Sequence, residues 1–373
     1  MAAGIVARRT VADEVAGLLD SPEIAELIVG LESLRWTGRK GYPIRSLVGA
    51  CLVKSLYAIP TWTRTVALIA EHAALRDALG AAPSVYACYR FTAKLREHSD
   101  KLADCLDRVA AGLREQLPEY GRDVAIDGSD LAAYANGQRY VRKGGPERER
   151  FSDPDASWGH RSAVSTRKGG GFYGYKLHAA VDVATGLPVA WRIETARVAE
   201  MHPVGPLLDS VLARGFQPAT VAADKGYDYA PVHEAIMERG SLPIIARRRF
   251  AGESWSEAPT CEHGAWTFAG ANYQRGATQW RCPTGECQPK SRWIKADRRH
   301  PLIPRGTLRF GKLYAGRAAV EREFGRLKND LALAPLRVRG QERVALHTDL
   351  VMLARLASAL ARARARAAIP LAA

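Results

Sequence analysis

Cysteine is scarce in this chain, with six among its 373 residues. So few cysteines over this length do not form the dense, paired pattern of a disulfide framework, which excludes a small disulfide-stapled fold. Long apolar stretches are missing too, because no run reaches the roughly 18 apolar residues of a membrane span. The first nine residues, Met1 to Arg9, lack the apolar core of a signal peptide. We therefore expect a cytoplasmic protein that does not enter a membrane.

Negative charge is also in deficit. The chain has 39 acidic residues against 54 Lys and Arg, which gives a net charge of +15. A surplus of this size favours a polyanionic partner, since counterions released from a phosphate backbone drive binding. The length allows two or three domains, each with its own core.

Residues 11 to 118 have the pattern of helices almost throughout. The clearest stripe begins after Pro43, where apolar residues from Ile44 to Leu56 recur at helical spacing. The segment Gly80 to Ser84 is a break before another helix that carries several basic residues. A helix, a short turn and a basic helix are compatible with a DNA-binding helix-turn-helix. A plain helical bundle explains the same residues equally well.

Strand patterns begin near residue 121. A short apolar run from Val124 to Ile126 ends in Asp127 and in Gly128, which we read as a turn residue. Residues 137 to 171, rich in glycine and charge, are predicted to form one long loop that touches nucleic acid, acts as a mobile flap or is merely solvated. The order beyond residue 121 is β-β-β-α-β-α-β. The later predicted strands are Phe172–Val183, Leu187–Glu194, Ala219–Asp224 and Leu242–Ala246.

The predicted order of strands and helices brings two acidic residues together. A strand reached through a helix lies parallel to its neighbour, because such crossovers are right-handed. If the fourth strand lies beside the first, Asp127 and Asp224 stand side by side at the carboxyl edge of the sheet, where sites of such sheets form.

A later segment, Tyr314 to Lys328, places four functional side chains on one helical face. At about 100° per residue, Tyr314, Arg317, Glu321 and Lys328 fall within an arc of about 60°. A phenol, a guanidinium, a carboxylate and an ammonium on one face suit both a metal ion and backbone phosphates. The same residues also suit an ordinary surface helix with (i, i+4) ion pairs.

The spacing Tyr-x2-Arg-x3-Glu-x6-Lys resembles the signature of bacterial insertion-sequence transposases with an Asp-Asp-Glu active site. The resemblance implies an α/β fold: a ribonuclease-H-like mixed five-stranded sheet with flanking helices, a β-rich insertion, and an all-α N-terminal domain that binds DNA. It divides the chain into residues 1–118, 119–246, 247–312 and 313–373. These are the helical domain, the first part of the catalytic domain, the insertion, and the final catalytic helix with a C-terminal helix.

The resemblance also implies a function and residue roles. The chain would be a DNA transposase that binds terminal inverted repeats and catalyses metal-dependent cleavage and strand transfer, as a homodimer in the complex with DNA. Asp127, Asp224 and Glu321 would be catalytic and would bind two Mg²⁺ or Mn²⁺ ions, since hard cations relieve the repulsion of adjacent carboxylates. The expected contacts to DNA phosphates or bases come from Tyr314, Arg317, Lys328 and Tyr227. An inactive or domesticated DNA-binding descendant, or another ribonuclease-H-like nuclease, is the alternative.

The aromatic-rich segment from 247 to 312 contains a second set of candidate ligands. Cys261, His263, Cys282 and Cys287 could bind a structural zinc ion. Their spacing departs from paired Cys-x2-Cys motifs, so free thiols in a small β-module are the alternative. The sequence leaves this choice open.

Overall fold

The computed structural model describes residues 10–34, 41–161, 168–249 and 256–368. In the N-terminal part the described residues form helices up to the first strand. Side-chain caps fix two of the helix starts: Thr10 forms a capping box with Asp13, and Ser84 accepts a hydrogen bond from the amide of Ala87 at 3.2 Å. The helices are α1 (Val11–Leu19), α2 (Pro22–Ser33), α3 (Ile44–Leu56), α4 (Trp62–Glu71), α5 (Ala73–Leu79), α6 (Val85–Glu97) and α7 (Ser99–Gln116).

The central sheet is mixed, as predicted, but it has six strands instead of five. The strands are β1 (Asp123–Ala132), β2 (Ser157–Arg161), β3 (Gly170–Asp182), β4 (Pro188–Thr195), β5 (Thr220–Ala223) and β6 (Leu242–Ile245), with α8 (Val204–Ala213) and α9 (Ala230–Glu238) between the later strands. β3 pairs antiparallel with β1, β2 and β4, whereas β1, β5 and β6 are parallel. The added strand, β2, lies inside the segment predicted to be one long loop, of which residues 162–167 lie outside the described residues.

Strand β1 is longer than the sequence suggested. Gly128 was expected to turn the chain, yet it lies opposite His178 in the ladder that β1 forms with β3. A Cβ at Gly128 would stand 3.2 Å from the imidazole of His178. The glycine therefore makes room for a buried ring and does not end the strand.

The helix predicted from Tyr314 to Lys328 is two helices, α10 (Leu308–Ala315) and α11 (Ala318–Asn329). At the junction the amides of Gly316 and Arg317 bond to carbonyls three residues back, which tightens the chain between the two helices. A Cβ on Gly316 would meet Val183 Cγ1 at 2.6 Å. Glycine thus lets the junction lie directly against the sheet.

The insertion folds into short strands around a small core of its own. Its strands are β7 (Thr260–Cys261), β8 (Gly264–Ala265), β9 (Thr267–Asn272), β10 (Ala277–Arg281) and β11 (Ser291–Lys295). β7 pairs with β8, and β9, β10 and β11 form a three-stranded sheet. Trp266, Trp280 and Cys282 are its buried core.

The last helix, α12 (Gln341–Ala367), packs against α7, α3 and β4, so the N-terminal helices and the central sheet share one continuous core. By length and composition α12 could cross a membrane, but 61% of its most apolar stretch is buried inside the protein. That burial is typical of a core helix.

Candidate active site

Two acids stand abreast at the edge of the sheet. The parallel pairing of β1 with β5 ends at Ala125 opposite Ala222, and Asp127 and Asp224 each lie two residues further on. Asp224 caps a single 3-10 turn, where its Oδ1 accepts a hydrogen bond from the amide of Gly226 at 2.6 Å. The sequence thus predicted this juxtaposition correctly, although Asp127 lies within β1 and not at its end.

The electrostatics of Asp127 show how close the negative charges are. Burial raises the pKa of Asp127 to about 7, and the charges of Asp224 and Glu200 add to that increase. The amide of Gly128, at 2.8 Å from Oδ1, and the cation of Arg317 oppose it. A carboxyl group with this pKa is half protonated at neutral pH, so the pair has a deficit of positive charge.

Arg317 pairs with Glu321 and also acts electrostatically on Asp127. Its Nη1 donates to Glu321 Oε1 at 2.7 Å, while its charge also lowers the pKa of Asp127. Its guanidinium lies 5.9 Å from the centre of the Tyr314 ring. Burial raises the pKa of Tyr314; the charge of Arg317 lowers it and that of Asp224 raises it again. Tyr314, Arg317 and Glu321 therefore lie beside the aspartates, across the junction between α10 and α11.

Lys328 and Tyr227, two residues predicted to contact DNA, lie against other parts of the protein. Lys328 Nζ donates to the backbone carbonyl of Asp130 at 2.6 Å, so in this structure it ties α11 to β1. Its contact with DNA phosphate stays a prediction. The ring of Tyr227 is buried, with only 2% of the residue exposed. Its contact with a DNA base stays a prediction.

Glu200 is a neighbour of the site that sequence reasoning missed. It lies in the connection between β4 and α8, where no periodic pattern or motif marks it. Its carboxylate pairs with Lys176 Nζ at 3.0 Å and, with Asp224 and Lys225, lines a cavity of about 430 Å³. Proximity in space, not in sequence, identifies it.

Two other acids near the motif residues have structural roles. Asp228 is fully buried and receives Nε2 of His233 at 2.9 Å, together with the guanidinium groups of Arg298 and Arg305 at 3.3 and 3.2 Å. Glu323 is also fully buried and pairs with Arg355 at 2.7 Å. Both carboxylates are already satisfied by cations.

The candidate zinc ligands come together in part. The Sγ atoms of Cys261, Cys282 and Cys287 all lie within 4.8 Å of one another. His263 is near but instead faces carboxylates, with its two ring nitrogens 3.4 Å from Glu262 and Glu286.

With this geometry established, comparison with known proteins decides the family. The profile described as "Transposase DDE domain" matches residues 121–357, a range that contains Asp127, Asp224 and Glu321. The chain belongs to the DDE transposase family. This transposase is also 31% identical over 149 residues to a Burkholderia cepacia protein that bears the name of a transposase for insertion sequence element IS402. The alignment spans 35% of this chain and 70% of that relative.

One solved structure is a distant likeness: the cryo-EM structure of the piggyBac transposase synaptic complex with hairpin DNA. It aligns with 97% of this chain and 77% of its own, at 11% identity and a TM-score of 0.43.

Family membership confirms the resemblance to insertion-sequence transposases that the Tyr-Arg-Glu-Lys spacing indicated. It also confirms the function: the protein is a DNA transposase. DDE transposases use divalent metal ions, generally Mg²⁺ or Mn²⁺. The donor set fits such an ion, because a hard cation needs oxygen ligands and would supply the positive charge that Asp127 and Asp224 lack.

Proposed function

We propose that Asp127, Asp224 and Glu321 are the catalytic acids of this transposase and that its sheet is the ribonuclease-H-like sheet. The observation that supports this assignment is that Asp127 and Asp224 stand abreast, while Arg317, the partner of Glu321, also lowers the pKa of Asp127. The strand order β4-β3-β1-β5-β6, antiparallel and then parallel, supports the assignment of the fold.

The three carboxylates would hold two Mg²⁺ or Mn²⁺ ions, which polarise the scissile phosphate and acidify the attacking hydroxyl. The protein's own residues set the conditions for binding them. Asp127 must lose its proton to bind a metal ion, and because its pKa is raised to about 7 it does so only near neutral pH. Glu321 must release Arg317, whose guanidinium is then free to bind a phosphate of the cleaved strand.

We infer that the partner DNA is the terminal inverted repeats and the target, that the protein acts as a homodimer on them, and that it works in the cytoplasm. The DNA partner is supported by the net charge of +15 and by the basic residues at the end of α6 in the N-terminal helical region. For the phosphate-binding role we favour Tyr314 and Arg317, because Arg317 pairs with the proposed catalytic Glu321 whereas Lys328 bonds to the backbone of Asp130. The boundaries at residues 118, 246 and 312 stay part of this proposal.

The decisive experiment separates catalysis from DNA binding. Glu321→Gln keeps the shape of the side chain but removes the charge that a metal ion needs, so Mg²⁺-dependent nicking and strand transfer of element ends should collapse. Gel-shift affinity should be unchanged or slightly higher, since Lys and Arg contacts supply most of it. Glu234→Gln, an exposed substitution on α9, is the matched control and should cleave like wild type.

Cleavage by Glu321→Gln at a near wild-type rate would refute the assignment. Unmodified protein that binds ends without cleaving them would instead mark the chain as an inactive descendant.

A second test addresses the phosphate contacts. Arg317→Ala should weaken binding to cleaved ends and reduce the salt slope of log K by about one, the value for one lost phosphate contact. Arg322→Ala, an exposed change on the same helix, controls for the loss of a positive charge. Equal salt slopes for wild type and Arg317→Ala would contradict the contact.

A further inference from the structure

The insertion has too little core to hold its fold by packing alone. Its own hydrophobic cluster contains three buried residues, Trp266, Trp280 and Cys282, and is separate from the main core, to which Ile303 and Phe310 belong instead. Small modules of this kind usually need a disulfide or a metal ion for stability. The cysteines here are free thiols, so a disulfide does not fill that role.

The spacing of the thiols matches a metal site. Cys261 Sγ and Cys282 Sγ lie 3.9 Å apart, and Cys287 Sγ lies within 4.8 Å of both. Two thiolates that bind one zinc ion at about 2.3 Å in tetrahedral geometry stand about 3.8 Å apart. Free thiols in contact with each other gain little from such convergence, whereas a soft metal ion needs it.

We propose that the insertion binds one structural zinc ion through Cys261, Cys282 and Cys287, with His263 as the fourth ligand. His263 lies two residues after Cys261, between β7 and β8, and its Nδ1 is 3.4 Å from a carboxylate oxygen of Glu286, the neighbour of Cys287. As a zinc ligand, His263 would exchange these carboxylate contacts for the metal ion. A Cys₃His set is a known composition of closed, structural zinc sites.

The ion would also support the active site from a distance. Arg298 and Arg305 follow β11 in the chain and pair with Asp228, four residues beyond Asp224. The zinc ion would fix the fold of the segment that delivers these two arginines. Its role is positioning, since none of its ligands lies among the acids.

Metal content of the full-length protein tests the proposal. Wild type, reconstituted with Zn²⁺ and passed through a desalting column, should retain about one equivalent of zinc. Cys287→Ser and Cys282→Ser should retain almost none, while Cys88→Ser, at a buried free cysteine on α6, should retain as much as wild type. Wild type that retains no more zinc than Cys287→Ser would overturn the site.

Cobalt substitution tests the fourth ligand. Co²⁺ in a tetrahedral thiolate site gives visible absorption and sulfur-to-metal charge-transfer bands. His263→Gln should weaken Co²⁺ binding and shift the visible bands, whereas Glu262→Gln should leave them unchanged. Identical spectra and affinities for wild type and His263→Gln would remove His263 from the ligand set.

A second inference rests on a separate feature, a cleft of about 540 Å³ between the N-terminal helices and the segment that leads into α12. Its described lining contains cations but no carboxylate. Arg96 is paired with Glu342 at 3.4 Å, but the surplus of positive charge remains. The lining cations are Lys54, Arg96, Arg337, Arg339 and Arg343.

The cleft also contains aromatic rings. Tyr89, which is 54% exposed, and Trp62 lie on the helical side, and Tyr134 faces them from the loop after β1. Arg337 and Arg339 stack on Tyr134, with guanidinium carbons 5.2 and 5.1 Å from its ring centre. Cations that bind phosphate, next to aromatic rings that stack on bases, are the components of a binding site for single-stranded DNA.

The geometry points to a binding site for an unpaired nucleotide of a DNA strand, with its phosphate on Arg343 and Lys54 and its base against Tyr89. This inference rests on the proposed function in that it takes DNA as the partner. The cleft is formed by residues other than the acids, so it can be tested without cleavage.

Fluorescence anisotropy with a labelled oligothymidylate, in the absence of divalent metal, is the test. Tyr89→Ala should weaken binding by about 5- to 100-fold, the range expected for one lost base stack. Tyr86→Ala, one turn earlier on α6 and 70% exposed, should bind like wild type. Arg343→Gln should reduce the salt slope more than Arg64→Gln, an exposed change on α4. Equal affinity of Tyr89→Ala and wild type would refute the cleft, even if the ends are still cleaved.

Discussion

Two glutamates that stand two positions apart have opposite environments. Glu321 is 54% exposed in its side chain and shares one ion pair with Arg317, whereas Glu323 is fully buried against Arg355. Exposed (i, i+4) pairs contribute about 0.3–0.5 kcal/mol, so Glu321 is nearly free to serve chemistry. Glu323 is a structural residue.

Glu323→Gln should therefore destabilise the fold. It leaves the guanidinium of Arg355 buried without its counter-charge, which costs about 3 kcal/mol. Urea denaturation should show this loss for Glu323→Gln and almost no change for Glu321→Gln. Equal midpoints for the two variants would contradict the assignment of Glu323 to the core.

Helix geometry alone explains why Glu321 and Glu323 face different directions, because two residues correspond to a rotation of about 200°. It could not predict that Tyr227 is buried, since that depends on how the turn after β5 packs. The position of Glu200 near the acids could not be predicted either, because it lies in the connection between β4 and α8, whose path is set by tertiary structure.

At the scale of elements, the junction of α10 with α11 decides where Arg317 and Glu321 stand. Gly316→Ala should push the junction away from Val183, because the new Cβ would lie 2.6 Å from Cγ1. We expect a loss of about 1–3 kcal/mol in the free energy of unfolding and a larger loss of cleavage activity.

Gly311→Ala is the matched control for that junction. Position 311 lies inside α10 and has no atom within 4 Å of an added Cβ. Alanine there should stabilise the helix by about 0.5–1 kcal/mol and leave cleavage intact. Both unfolding curves and cleavage rates should be measured; similar cleavage by the two variants would show that the contact with Val183 does not position the site.

The order of strands and helices was predictable because buried strands and amphipathic helices carry their own periodicity. The exceptions are informative. β2 was missed because Ser157–Arg161 is polar and lies in a charged, glycine-rich segment, so only its pairing with β3 makes it a strand. Gly128 was misread as a turn because a close neighbour, His178, can require glycine as strictly as a turn does.

At the scale of the whole molecule, two histidines shielded from water, the buried His178 and the half-buried His347, make the fold sensitive to acid. Burial lowers the pKa of His347 to about 3, with Lys54 adding to the shift, and burial likewise lowers that of His178 to about 3. Their unfolded pKa is about 6.5. Below that value the unfolded chain takes up protons that the folded chain refuses, so stability is lost as pH falls from about 6.5 towards 3.

Each histidine should cost about 1.4 kcal/mol per pH unit in that range. The raised pKa of Asp127 acts in the opposite direction between about pH 4 and 7, so one histidine is best isolated by comparison. Urea denaturation at pH 7 and pH 5 should show a smaller loss for His347→Gln than for wild type. Equal losses would mean that His347 is not held neutral in the core.

The buried cluster around Asp228 has a consequence for how this protein can be rebuilt. Its two arginines belong to the insertion, where they follow β11, 70 and 77 positions beyond Asp228 in the chain, and they neutralise an acid four residues from Asp224. These ion pairs therefore connect the insertion to the catalytic half of the protein. A chimera that exchanges this segment with that of another transposase must carry both arginines across, or the recipient will contain an orphaned anion beside its second acid.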